Sequence, residues 1–262
     1  MYHLGVIGSQ DVDAHDWLTD ANDLKVEVPG AIIAAVAGSM NGKNVVVVPR
    51  NGTGRPLPPH AVDYRSNLLA MRELGVGRIV TTSMAGTLRT DIPVGSLLML
   101  DQFIDFTRNR QFTLFDDDCF GFADMTEPFC EQLRSRLMAA AGRIGVDIAP
   151  NGCYVCVPGP RFETRAEVRM YGALGGDLIG HTTVSDCVMS REAGICFATV
   201  AGVITLGAGL GDHKMDAHEW HGVRRDCARR IRTVLEQMLV DPDDSLVRED
   251  TCRCAFAAPI ER

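Results

Sequence analysis

The chain has 262 residues, 46% hydrophobic and 23% charged, enough to bury one substantial core. A formal net charge of −8 gives it no general attraction to nucleic acid or anionic membrane, both of which are held mainly through basic surface. That leaves a small molecule as the better class of partner.

Short apolar runs alternate with longer amphipathic ones, the pattern of strands buried between helices. Strands are predicted at Leu4–Gly8, Val45–Pro49, Arg78–Thr82, Ser96–Leu100, Cys153–Val157, Leu178–Gly180 and Cys196–Thr205. Between them, Asp63 to Leu74 carries Leu68, Met71 and Leu74 at helical spacing, and Thr126 is placed to cap a helix presenting Phe129, Leu133 and Leu137. Further helices are predicted over Thr183 to Glu192 and over Ala217 to Leu239. The last sets Val223, Cys227, Ile231, Leu235 and Met238 along one stripe and leaves Arg224, Arg225, Arg229 and Arg230 in solvent. The division expected is one α/β domain over 1–240 and a charged tail over 241–262, with no internal repeat.

No run approaches the length of a spanning helix, and the start, MYHLGVIGSQDVDAHDW, lacks the basic and apolar regions of a signal peptide. A cytoplasmic location is expected. Nine cysteines, an odd number scattered through apolar segments, fit reduced packing thiols better than a disulfide framework. Cys153 and Cys156 form the nearest thing to a metal motif, but a strand would turn them to opposite faces, so no metal is expected. For Cys252 and Cys254, in the tail, the sequence leaves both disorder and oxidation open.

The chemistry-bearing segments come in chain order. Gly5-Val-Ile-Gly8-Ser9-Gln10 reads as a strand entering a tight turn that can offer N–H groups and a hydroxyl to an anion. In Val48-Pro49-Arg50-Asn51-Gly52, an arginine leaves the carboxyl end of a buried strand, where its guanidinium matches phosphate oxygens. Pro58-Pro59-His60, Tyr64-Arg-Ser-Asn67, Ser83-Met84-Ala85-Gly86-Thr87-Leu88-Arg89, Gly159-Pro160-Arg161-Phe162-Glu163-Thr164 and Gly180-His181-Thr182-Thr183-Val184 follow.

Taken together, these motifs resemble the purine nucleoside phosphorylase and methylthioadenosine phosphorylase family, in its trimeric branch. The resemblance implies a single α/β domain with a central mixed sheet flanked by helices. It also implies phosphate-dependent cleavage of a purine or modified nucleoside to free base and ribose 1-phosphate, with no cofactor beyond phosphate as co-substrate. A homotrimer, or a hexamer built from it, is implied, with Phe122 at the place where a neighbouring subunit closes the ribose pocket.

Residue by residue, the resemblance gives phosphate to Ser9, Arg50, Asn51, Thr87 and Thr182, and substrate to Ser83, Met84, Ala85, Phe162, Glu163, His181, Thr205, Gly207 and His218. Phe162 takes the role of stacking on the base and Glu163 that of facing a purine edge, as in 6-oxopurine enzymes. Thr205 and Asn51 take the catalytic positions. Thr87 read alone is a turn cap, Phe162 read alone a core aromatic, and His218 a surface residue.

The pattern departs from the family at Gln10, at Asn51 in place of histidine, at His181 in place of methionine, and at Thr205 and Gly207 in place of the residues that serve the leaving base. Two alternatives to a phosphorylase therefore stand: a glycosidase or transferase on a modified nucleoside, and a nucleoside-binding homologue with little catalysis.

Overall fold

In a computed structural model of the chain, the structure describes all residues except 1, 10, 116–118, 212–216, 241–251, 253, 255–259 and 262. It also leaves aside the side chains of 119, 217–219, 260 and 261. Among the described residues, twelve strands and six α-helices, besides a 3-10 turn at Pro59–Ala61, run in the order β1 (Leu4–Gly8), α1 (Ala14–Trp17), β2 (Thr19–Val28), β3 (Ala31–Met40), β4 (Lys43–Pro49), α2 (Tyr64–Glu73), β5 (Arg78–Thr87), β6 (Leu97–Met99), β7 (Gln102–Asp105) and β8 (Cys119–Phe120). They continue with α3 (Glu131–Ile144), β9 (Cys153–Cys156), α4 (Arg165–Ala173), β10 (Leu178–Gly180), α5 (Thr183–Glu192), β11 (Cys196–Leu206), α6 (Ala217–Val240) and β12 (Ile260–Glu261).

Ten of the strands form one mixed sheet, ordered β2-β3-β4-β1-β5-β10-β9-β7, with β11 paired to β5 and to β6. The strands β1, β4 and β5 at its centre are parallel neighbours, and their valines and isoleucines are buried on both faces. Helices α3 and α6 pack together over one face through Leu133, Leu137, Ile231 and Leu235. The opposite face is covered by α2 and α5 through Leu68, Met71, Val184 and Cys187. The α/β class with a central mixed sheet between helices, expected from the sequence, is the architecture found.

The predicted strands are all present, some longer than expected, and α2, α5 and α6 lie where the periodicity puts them. Asp63 caps α2 by accepting the N–H of Ser66. The helix assigned to Thr126 starts later: Cys130 is the N-cap of α3, and the N–H of Thr126 instead donates to the Asp124 carboxylate.

Among the described residues, five strands and two helices lie outside the predicted elements: β2, β3, β7, β8, β12, α1 and α4. In the β2-β3-β4 meander the first strand is largely polar and exposed, yet the second turn, Asn41-Gly42, has φ of 50° and 74° and carries the strongest short hairpin signal there is. Helix α4 begins with a capping box in which Thr164 and Glu167 satisfy each other's backbone N–H, a pattern also visible in the sequence.

Candidate active site

Parallel strands leave their carboxyl ends at one edge of the sheet, and β1 and β4 end there side by side, with the N–H of Arg50 donating to the carbonyl of Gly8. A cleft of about 1300 Å³ opens at this edge. Its floor is Met84, Ala85 and Gly86 of β5.

One end of the cleft is polar and buried. Arg50 is only 2% exposed, and its Nε–H donates to the Asp186 carboxylate at 2.8 Å. The two remaining nitrogens donate to the carbonyls of Thr82 and Ile7, each at 3.1 Å. A guanidinium has five N–H groups, so this network engages three and leaves two for a ligand. Burial raises the Asp186 carboxyl above its ordinary value while Arg50 pulls it back.

Beside this pair, Thr182 is the N-cap residue of α5, and its hydroxyl makes no capping bond, so it stays available at the cleft wall. Ser9 completes this end; its N–H donates to the Thr82 hydroxyl and its own hydroxyl to Asp11. The Arg50 guanidinium, the Thr182 hydroxyl and the start of α5 make an anion site, because together they present positive charge and donors to the cleft, with the Ser9 hydroxyl beside them held by Asp11. Asn51 lines the same end, but its amide N–H donates to the Leu57 carbonyl at 2.7 Å, closing the loop that carries Arg55 to Pro58 along the rim.

His181 stands between the polar end and the rest. Its ring packs on Gly159, where an added Cβ would sit 3.0 Å from the ring, and burial, helped by Arg110, lowers its pKa so that it stays neutral near pH 7.

The other end is a half-exposed wall. Phe162 is 57% exposed, and burial, with Glu167 adding to it, holds the neighbouring Glu163 carboxyl above its ordinary value. Ile204 and Thr205 both line the cleft although they are consecutive, because β11 carries a bulge: Val203 pairs with Ala85, and Thr205 pairs with Gly86. Gly207 contributes backbone only; a Cβ there would meet the Thr87 carbonyl at 2.8 Å and Val168 at 3.0 Å.

Two expected ligands, Thr87 and Ser83, are moved away. The Thr87 side chain is fully buried, and its hydroxyl donates to the Arg89 carbonyl and accepts the Arg89 N–H, which is the turn-cap role rather than a phosphate contact. Ser83 is 1% exposed and donates to the Tyr154 hydroxyl below the floor. Phe122, expected at a neighbouring subunit's pocket rather than its own, is 79% exposed, packs edge-to-face on Phe120 and does not line this chain's cleft. The side chain of His218 and the whole of Gln10 lie outside the described residues.

Conversely, the sequence reading overlooked Val94, Trp220 and Arg224, which line the cleft. Arg224, expected in solvent, pairs with Asp11 at 2.6 Å and lies 4.3 Å above the Trp220 ring. Its position one residue after Val223 on the buried stripe of α6 was the available signal, since a stripe's flank faces the groove beside it.

The fold and this cleft define a nucleoside-phosphorylase-type α/β enzyme scaffold. Residues 3–240 match the model of the phosphorylase superfamily. The chain is 35% identical to the probable 6-oxopurine nucleoside phosphorylase of Thermococcus kodakarensis, over 98% of this chain and 97% of that one. It is 34% identical to the S-methyl-5'-thioadenosine phosphorylase of Thermofilum pendens, over 97% and 96%. Among solved structures, the methylthioadenosine phosphorylase of Schistosoma mansoni in complex with adenine superposes with a TM-score of 0.85 at 26% identity, covering 92% of this chain and 91% of that one. The chain belongs to the phosphorylase superfamily, within its purine nucleoside and methylthioadenosine phosphorylase family.

Proposed function

We propose that the cleft carries out phosphorolysis of a 6-oxopurine nucleoside, with Glu163 selecting the base. The enzyme is a nucleoside phosphorylase: phosphate attacks C1′, the N-glycosidic bond breaks, and free base and ribose 1-phosphate leave. Phosphate is assigned to the polar end, where Arg50, Thr182 and Ser9 line the cleft beside the start of α5. The buried Arg50–Asp186 pair fixes the guanidinium before phosphate arrives, so little ordering is left to be done on binding.

The single observation behind the base assignment is the partly buried Glu163 carboxyl beside the exposed face of Phe162. A carboxylate there accepts the N1–H of a 6-oxopurine, whereas adenine has no hydrogen at N1 to give. During bond cleavage negative charge grows on the base. Thr205 offers one hydroxyl to it, and that hydroxyl donates to the Leu206 carbonyl at 3.2 Å until a substrate diverts it.

The 5′ end of the ribose is assigned to the wall of Val94, Trp220 and Val223, which favours an uncharged substituent. Phe122, exposed on its loop, is assigned to the cleft of a neighbouring subunit in a trimer. A cytoplasmic enzyme fits the absence, among the described residues, of any helix long and apolar enough to cross a membrane.

The test is base release from inosine, guanosine, adenosine and methylthioadenosine, with and without phosphate. Phosphate-dependent release of hypoxanthine and guanine, well ahead of adenine, is expected. Equal release without phosphate would make the protein a hydrolase, and efficient methylthioadenosine cleavage unaffected by Glu163→Gln would overturn the base assignment. Equilibrium sedimentation checks the shared cleft: a monomer at micromolar concentration contradicts it.

A further inference from the structure

Far from the cleft, four cysteines from three separate parts of the chain meet at one point. Cys130 is the N-cap of α3, Cys196 opens β11, and Cys252 and Cys254 come from the C-terminal segment, 122 residues beyond Cys130 for the first of them. Their four sulfurs all lie within 4.8 Å of one another, with Cys130 to Cys252 at 3.8 Å and Cys196 to Cys252 at 3.3 Å. Cys130, Cys196 and Cys254 are buried and Cys252 is half-buried.

We propose that these four thiols form a structural zinc site that fastens the C-terminal segment to the sheet. The spacing carries the argument. Four thiolates about 2.3 Å from one zinc ion stand about 3.8 Å apart along the edges of a tetrahedron, which is the scale of the separations found. A disulfide would bring two sulfurs to about 2.05 Å, and all four cysteines are free thiols. Thiols packing merely as small apolar groups have no reason to converge four at a time, since an S–H is a weak donor and a weak acceptor.

The surroundings suit a bound thiolate. The Leu133 N–H points at the Cys130 sulfur at 3.5 Å from the first turn of α3, so a backbone donor and a helix N-terminus both favour negative charge there. Cys252 and Cys254, one residue apart, form a two-pronged ligand of the kind that closes around a core pair. An all-sulfur tetrahedral set selects zinc among the common ions and leaves no open position, which marks the site as structural. Binding releases the four thiol protons and forms a tetrathiolate carrying two net negative charges.

The site is separate from the chemistry of the cleft. From Cys196, β11 runs nine residues to Thr205, or about 30 Å at the rise of an extended strand. What the ion joins is the start of α3, the start of β11 and the end of the chain.

The test uses full-length protein purified without a chelator or a metal-affinity tag from zinc-supplemented cells. Zinc is measured by mass spectrometry and thiols are titrated after denaturation. About one zinc per chain with all nine thiols free is expected. A strong chelator should then lower the thermal midpoint of the wild type. Cys252→Ser/Cys254→Ser should cut the zinc content at least tenfold, respond little to the chelator, and retain phosphorolysis. Cys153→Ser/Cys156→Ser should keep its zinc. Cobalt replacing zinc should give the visible and near-ultraviolet bands of a tetrahedral tetrathiolate. A metal-free protein overturns the proposal, whether it has nine thiols or four fewer in two disulfides. Zinc content unchanged in Cys252→Ser/Cys254→Ser overturns it equally.

Discussion

The two ends of the cleft are built in opposite ways. At the polar end, Arg50 and Asp186 are almost wholly buried, their side chains 1% and 0% exposed, and each is locked by strand ends and a helix start. At the other end, Phe162 and Trp220 sit on a loop and on the first turn of a helix, beside the partly buried carboxyl of Glu163. The comparison teaches where such a scaffold can change. A group held by a buried charge pair cannot be altered without disturbing the core, whereas loop residues over a preformed floor can vary and shift specificity.

The sharpest way to break this contrast is Arg50→Ala. It removes the anion ligand, and it also strands the Asp186 carboxylate in the interior, where its second oxygen has no partner. Stability should fall by about 3–5 kcal/mol in urea denaturation, together with phosphate-dependent activity. Loss of activity with unchanged stability would mean that the pair is not the buried anchor described above.

Gly207→Ala is the next largest. The added Cβ has backbone on one side and Val168 on the other, so a loss of about 1–3 kcal/mol in thermal or urea unfolding is expected. A neutral result would place the Leu206 to Gly211 stretch elsewhere and reopen the register around Thr205.

Glu163→Gln should act on specificity with little effect on stability. The ratio of kcat/KM for inosine over adenosine should fall at least about tenfold, because a lost polar contact to one base edge costs discrimination on that scale. An unchanged ratio moves base selection to Thr205 or to the floor.

Smallest is the pH effect of the same residue. Burial raises the folded-state pKa of Glu163, so the folded protein holds that proton more tightly than the unfolded chain does. From the ordinary glutamate value of about 4.3 upward, wild type should therefore lose stability relative to Glu163→Gln, until the folded-state pKa is passed. The difference between the two stability curves reads it directly, and a slope of opposite sign would mean that Glu163 has a cationic partner.

Much of the molecule was written in local pattern. The Val45–Pro49 run ending in Arg50, the Asp63 cap, the Thr183 to Glu192 helix and the glycine-rich turns follow from apolar periodicity and capping chemistry, which act over a few residues. So did the family, because its motifs are short and contiguous.

Contacts between distant segments were not legible in the same way. Which hydroxyls face the cleft depended in part on neighbours far along the chain: Ser83 turned to Tyr154, and Thr87 reached Asp177 besides the local turn to Arg89 that its own segment suggests. The bulge that turns both Ile204 and Thr205 inward exists only against β5. Arg224 left the solvent because Asp11, 213 residues away, came within reach. The meeting of Cys130, Cys196, Cys252 and Cys254 is the extreme case: each is an unremarkable cysteine in its own segment. Local pattern determined most of the central strands, the longer helices and the place of Arg50 at a strand end, since those energies are summed over neighbours in sequence. Tertiary structure alone decided the direction of each polar side chain and the convergence of the thiols, since those are settled by partners that only folding brings together.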